Sequence, residues 1–315
     1  MARPSDRSSQ TGWRRARAAA WLGGLAAFAA LPVGADQIEV IRGGKSTTHE
    51  VGNGEGRTRS SHGVEVMIGI EPGSRTVDFE TKRYELSSHE RSSIRRRVNR
   101  MIGLYRSELG VRVPAGFQVD LAIHGEGRAY DQRAGALRRA AGFYDPVSRK
   151  AVVSGRDQSE THETALHESS HAVLMQSVET VPAFLNEGLA EYFETLELGA
   201  SKAHVPIDSR RAGYLMRYLE RGGGWPVSEL IEMPHPSWRG LPEEASYVAY
   251  TQSWALVSFM METDANRSRL HKVLDSVRRG VAATDAFERH YRGGVEALER
   301  DWLAWLPGAG GTHRY

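Results

Sequence analysis

The sequence predicts an α+β fold, with a mixed or antiparallel sheet in its first half and a helical second half. Two observations carry this. Apolar residues recur with a period of two in short runs up to Val153, then at helical spacing from Asp157 to about Leu306. A single helix, opened by a capping sequence, interrupts the strand-rich half.

Taken in order, residues 1–35 read as a signal peptide. Arg14, Arg15 and Arg17 form a positive start, Ala18 to Leu31 is apolar, and Val33-Gly34-Ala35 offers small residues before a cut. An apolar run of about 14 residues is too short for a ~30 Å hydrocarbon core, so no stable membrane span is expected after cleavage. Residues 36–86 read as a β-rich N-terminal segment. Gln37–Ile41, Val64–Ile68 and Thr76–Glu80 alternate, around a Gly/Arg/Ser-rich loop at Gly52–Gly63.

Ser87-Ser88-His89-Glu90 is a capping box, and the helix it opens runs to about Leu109. Ile94, Val98, Met101, Tyr105 and Leu109 share one face. Arg95, Arg96, Arg97 and Arg100 lie mostly on the other, which reads as a solvated face rather than an anion site. Strands follow at Phe117–Ile123, Gly142–Tyr144 and Lys150–Val153, the last two separated by the turn signal Asp145-Pro146. Gly222–Gly224 and the Pro-rich stretch Met233–Pro242 break the helical half into pieces. The main domain is expected over 87–306, followed by a flexible tail at 307–315.

Composition excludes several functions. Cleavage after Ala35 would remove five Arg and one Asp, taking 41 basic and 39 acidic side chains to 36 and 38. No general basic character remains, so no nucleic-acid partner is expected. The chain has no Cys, so any metal must be held by His, Asp or Glu.

His167-Glu168-Ser169-Ser170-His171 lies inside a helical pattern. Histidines four apart share a helix face, so both imidazoles can reach one point. Zinc takes imidazole nitrogens, and a catalytic zinc site usually has three protein ligands plus water. Glu168, beside the first His, can approach that water without binding the metal. In Pro182-Ala183-Phe184-Leu185-Asn186-Glu187-Gly188-Leu189-Ala190-Glu191-Tyr192, Pro182 suits a helix start, and Glu187 and Glu191 face the same way. Two carboxylates packed against two imidazoles are costly to bury unless they coordinate a cation or pair. Glu187 supplies the third ligand. Glu191, one turn on, is placed to accept the free ring N–H of a ligating His. His162 and His167, five apart, are rotated off a common face, so His162 reads as a surface residue near the helix start.

A zincin motif followed by Asn-Glu-Gly-Leu-Ala-Glu-Tyr resembles the gluzincins, the clan of thermolysin and aminopeptidase N. The likeness is nearest to bacterial peptidase-MA-like domains. Their Gly-Phe-Tyr strand has a counterpart in Gly142-Phe143-Tyr144, and their Tyr-x-Gln-Ser-Trp helix in Tyr250-Thr251-Gln252-Ser253-Trp254; Phe184 stands where Trp is common. The resemblance covers roughly residues 90–306. It implies a zincin-like fold and a zinc-dependent peptidase that is periplasmic or secreted in a bacterium, with peptide or protein substrates.

Residue by residue, the resemblance gives His167, His171 and Glu187 as zinc ligands and Glu168 as general base. It places Tyr250 where related enzymes hydrogen-bond the transition-state oxyanion, with Tyr247 the runner-up. The Gly-x-Met-Glu-Asn segment by which aminopeptidases grip a free amine is not found in the chain, so an endopeptidase is expected. His204, His235, His271 and His290 match the oxyanion histidine of thermolysin-type enzymes by residue type only. Either Gly142–Tyr144 or Lys150–Val153 is expected to pair with substrate backbone. The alternative function is a catalytically silent zincin-fold binding or scaffold protein of the cell envelope.

Overall fold

A computed structural model describes residues 76–125, 141–155 and 158–315. The signal-like segment, the strands expected at 37–41 and 64–68 and the loop at 52–63 lie outside the described residues. Within them the protein is α+β.

Strand β1 (Val77–Lys82) leads into helix α1 (Ser88–Ser107), then β2 (Val119–Gly125), β3 (Gly142–Asp145) and β4 (Lys150–Gly155). The four strands form one mixed sheet in the order β1-β2-β4-β3. β1 and β4 flank β2 in parallel, and β3 closes on β4 antiparallel, with Gly142 opposite Val153. The interior strands carry the apolar load: Val119, Leu121, Ile123, Val152 and Val153 are buried. The expected turn joins β3 to β4. The Asp145 carboxylate accepts from the Val147 N–H at 3.0 Å and the Ser148 hydroxyl at 2.5 Å, and Arg149 takes a left-handed φ of 55°. β1, from the end of the segment expected at 36–86, is hydrogen-bonded into the same sheet as β2, and Val77 joins the same core as Ile94 and Val119.

The capping box at Ser87 is present in full: its hydroxyl accepts from the Glu90 N–H, and the Glu90 carboxylate accepts from the Ser87 N–H at 2.8 Å. The apolar stripe of α1 is buried as expected. Its arginine face is not simply solvated. Arg97 turns inward and donates to the backbone oxygens of Glu194 and Leu196, while Arg91 and Arg95 lie over the Phe79 ring.

The second half contains α2 (Gln158–Ser177), α3 (Ala183–Phe193), α4 (Ser209–Leu219), α5 (Val227–Glu232), α6 (His235–Arg239), α7 (Glu243–Glu262), α8 (Asp264–Arg278), α9 (Ala283–His290) and α10 (Gly294–Trp305). A second, small sheet interrupts them: β5 (Glu197–Leu198) and β6 (Ala203–Pro206) join β7 (Thr312–Arg314) in the order β5-β6-β7. Strands of two to four residues are too short to show a period. The flexible tail expected at 307–315 is therefore a correction. Tyr315 exchanges backbone hydrogen bonds with Ala203, the Ile207 N–H donates to the Gly311 carbonyl, and His313 is buried. Backbone pairing orders this Gly-rich stretch despite its composition.

Helix α2 lies between the sheet on one side and α3 on the other, and α3 packs in turn on α7. Every residue of α3 is buried. Gly188 permits its approach to α7: a Cβ there would sit 2.7 Å from the Ser253 carbonyl oxygen and 2.8 Å from a Val257 methyl. Gly188→Ala is expected to cost about 1–3 kcal/mol by overpacking. In a chain of this size that lowers Tm by roughly 5 °C, read by circular dichroism. An unchanged Tm would mean that the two helices do not approach this closely.

Candidate metal centre

The middle of α2 is a run of polar residues enclosed on all sides: His167, Glu168, Ser169, Ser170 and His171 are all buried. The serines are accommodated locally. The Ser169 hydroxyl donates to the Ala165 carbonyl at 2.6 Å, and Ser170 shares a 2.6 Å hydrogen bond with Tyr105 of α1. The two histidines meet Glu187 of α3. His167 Nε2 lies 3.6 Å and His171 Nε2 3.5 Å from Glu187 Oε2, and one ligand atom from each residue lies within 4.8 Å of the other two. The imidazoles meet edge to face at 4.8 Å between centroids.

None of these facing atoms has a hydrogen-bond partner: His167 Nε2, His171 Nε2 and Glu187 Oε2 are buried and orphaned, as are both carboxylate oxygens of Glu168. Each such group costs about 1–3 kcal/mol when left unsatisfied. A cation at the common point of the three ligand atoms would satisfy them together. Two imidazoles and one carboxylate suit zinc, and suit calcium or magnesium poorly because those ions prefer all-oxygen shells.

The electrostatics agree with that donor set. Glu168, Glu187, Glu191 and Glu194 surround His167, and Arg211 of α4 pairs with Glu191 at 2.9 Å. The cluster gathers four carboxyl groups and two imidazoles around a single guanidinium. Burial alone would depress the His167 pKa, but Glu187, Glu194, Glu191 and Glu168 together raise it well above the ordinary value. Burial dominates at His171 and lowers its pKa to about 4, leaving a neutral imidazole able to ligate. Burial also raises the Glu168 pKa well above the carboxylate range; the charge of His167 opposes this, and those of Glu187, Glu194 and Glu191 add to it.

The expected acceptor for the other His167 nitrogen is replaced by a neighbour. Glu191 Oε1 stands 3.7 Å from Nδ1, beyond hydrogen-bond distance, whereas Glu194 Oε2 is at 3.0 Å. The reason lies in Arg211, whose guanidinium sits 4.4 Å over the Trp254 ring and draws the Glu191 carboxylate toward itself. Glu194 is the C-cap of α3, and its backbone oxygen is held by Arg97. The signal for Glu194 was in the sequence, since positions 187, 191 and 194 follow the i, i+4, i+7 stripe of one helix face. Neither Arg97 nor Arg211 carried a comparable signal. Glu194→Gln is expected to weaken zinc binding about 10–100-fold, the usual effect of losing a ligand's orienting partner. Competition with a chromogenic chelator reads this, and an unchanged affinity would remove Glu194 from the centre.

Tyr250 of α7 is fully buried, with its ring 5.4 Å from that of Trp238. Burial raises its pKa well above that of an ordinary phenol, and the charge of Glu187 adds to this, against the Trp238 side chain. Glu191 and Glu168 act in the same direction as Glu187, so the hydroxyl senses the centre. Tyr247, the runner-up, is half-buried with its ring edge against Tyr214.

On the sheet side, Gly142 of β3 packs against the centre. A Cβ there would meet Glu168 Oε1 at 2.9 Å and the Thr164 methyl at 2.5 Å. β3 is the sheet's edge among the described residues. β4 is hydrogen-bonded on both sides, so Lys150–Val153 cannot add a further strand.

The other histidines have separate settings. His204 lies on β6, His271 packs over Gly110, His290 shares a hydrogen bond with Ser276, and His235 contacts the Val181 carbonyl. His162 is half-buried near the start of α2.

Residues 160–279 match the family described as "Protein of unknown function (DUF1570)". That span contains His167, Glu168, His171, Glu187, Glu191, Glu194, Arg211 and Tyr250. A search of curated proteins found no match.

Proposed function

We propose that this protein is an exported zinc metallopeptidase of zincin-like fold, similar to the gluzincins, that cleaves peptide or protein substrates internally. The observation that carries the reading is the convergence of orphaned His167 Nε2, His171 Nε2 and Glu187 Oε2 in a buried centre beside Glu168. Export to the periplasm or beyond follows from the signal-like residues 1–35.

His167, His171 and Glu187 would hold the zinc. When bound, zinc supplies Lewis acidity, polarising a carbonyl and lowering the pKa of water from 15.7 toward ~7. Glu168 takes a proton from the attacking water and delivers it to the departing amine nitrogen. Its dry surroundings raise its proton affinity, which suits the first of these transfers. Tyr250 stays protonated and donates to the substrate carbonyl oxygen as negative charge develops there. The edge of β3 pairs with an extended substrate backbone, so recognition is largely main-chain. Glu194 holds His167 through Nδ1, leaving Nε2 for the metal.

The test has two readouts on the purified chain. Elemental analysis should give one zinc per chain. Mass spectrometry should find exported proteins cut by the wild type and left whole by Glu168→Gln. Zinc without any cleavage would favour a silent binding or scaffold protein, and absence of zinc would overturn the reading.

A further inference from the structure

The side of α3 turned away from the centre makes a second set of polar contacts, buried at Tyr192 and reaching the surface at Glu262. Tyr192 lies five residues beyond Glu187, roughly 140° around the helix axis from it. Its hydroxyl shares a 2.7 Å hydrogen bond with His313 Nδ1 and a short one with the Tyr315 hydroxyl. The other nitrogen of His313 meets Glu262 Oε2 at 2.9 Å, and the Trp305 indole N–H donates to the same oxygen at 3.2 Å. Glu262 is the last residue of α7. Arg267 completes the surround: it lies over the Tyr315 ring, donates to the Met261 carbonyl and pairs with Glu108 beyond the end of α1.

These contacts form a continuous path. One end is α3, which carries Glu187. The other is α7, which carries Tyr250. The link between them is strand β7 with Tyr315. Gly188 brings the same two helices to backbone contact further along, so the pair is fixed at two points.

We propose that His313 and Tyr315 are positioning residues for the metal centre. Through Tyr192 and Glu262 they lock α3 and α7 in register, and so set where the Glu187 carboxylate stands relative to His167, His171 and Tyr250. The inference rests on the metal reading above. It adds that a strand with no residue in the centre controls its geometry. His313 suits the task because a neutral imidazole accepts at Nδ1 from the Tyr192 hydroxyl while Nε2–H donates to Glu262. Burial lowers its pKa and favours that neutral form.

Cobalt(II) titrated into the purified full chain tests this, because it gives both a dissociation constant and a visible ligand-field spectrum. His313→Ala and Tyr192→Phe should each weaken cobalt binding about tenfold and change the spectrum. The double variant should be no worse than the weaker single, since both break one path. His313→Gln, whose amide keeps one acceptor and one donor, should recover most of the affinity and the wild-type spectrum. Leu270→Ala, a core truncation in α8, should lower Tm while leaving the cobalt spectrum unchanged. A His313→Ala protein that binds cobalt like the wild type would overturn the inference alone, as would a Leu270→Ala protein with the same spectral change. A wild type that takes up no cobalt overturns the metal reading and this inference with it.

Discussion

Glu187→Met is expected to bind zinc on the order of a thousandfold more weakly than the wild type, and yet to be the more stable protein once zinc is stripped from both. The first half follows from ligand arithmetic. Four-ligand structural zinc sites gain roughly 10–16 kcal/mol, so a single ligand is worth about 3–4 kcal/mol. The second half follows from burial. Without a cation, Glu187 Oε2 has no hydrogen-bond partner, and the carboxylate sits 1% exposed among Glu168, Glu191 and Glu194. Met fills a similar volume and brings no charge. Glu187 faces three other carboxyl groups with only His167 and His171 in compensation, so an apolar residue there relieves more repulsion than the attraction it forfeits. The metal-free variant should therefore melt roughly 5 °C above the metal-free wild type. With free zinc at a thousand times its dissociation constant, the wild type gains about 4 kcal/mol, or roughly 10 °C, and the order reverses. Thermal denaturation with and without chelator reads both. A wild-type Tm that ignores zinc would leave the cluster as an ordinary buried polar network.

The candidate ligand set was legible because helix geometry places its members. Residues 167 and 171 share one helix face, as do 187 and 191, and the structure brings His167, His171 and Glu187 to one point. Glu191 went to a different partner because its position is decided by Arg211 and Trp254, 20 and 63 residues further along the chain. No local period encodes a contact of that kind. The fold divides in the same way. Strands β2, β3 and β4 and the α1 capping box were legible from short-range patterns. The place of β1 in the common sheet, the β5-β6-β7 sheet and the ordering of residues 312–314 were not. Each of those depends on pairing between distant segments, and β7, which follows a Gly-rich stretch, is ordered by backbone hydrogen bonds to β6.

Glu168→Gln should keep its zinc and lose peptide cleavage by about 10⁴-fold, the upper end for one acid–base group, because the proposed reaction routes both proton transfers through this residue. One feature of its setting separates it from the candidate ligands: Gly142 leaves it room on the sheet side, where any Cβ would collide. Gln has the same shape, so neither β3 nor α3 needs to move. It also removes a buried ionisable group, so Tm should stay level or rise slightly. Glu168→Asp makes a sharper comparison: it keeps the chemistry but withdraws the carboxylate by about one bond length, and it should retain zinc while losing activity in kcat rather than KM. Zinc content, Tm and single-turnover cleavage of one identified substrate measure all of this. If Glu168→Gln cleaves within tenfold of the wild type, the proton passes through another group and the assignment of Glu168 is wrong. If instead it loses zinc, Glu168 is a ligand, and the roles of Glu168 and Glu187 must be exchanged.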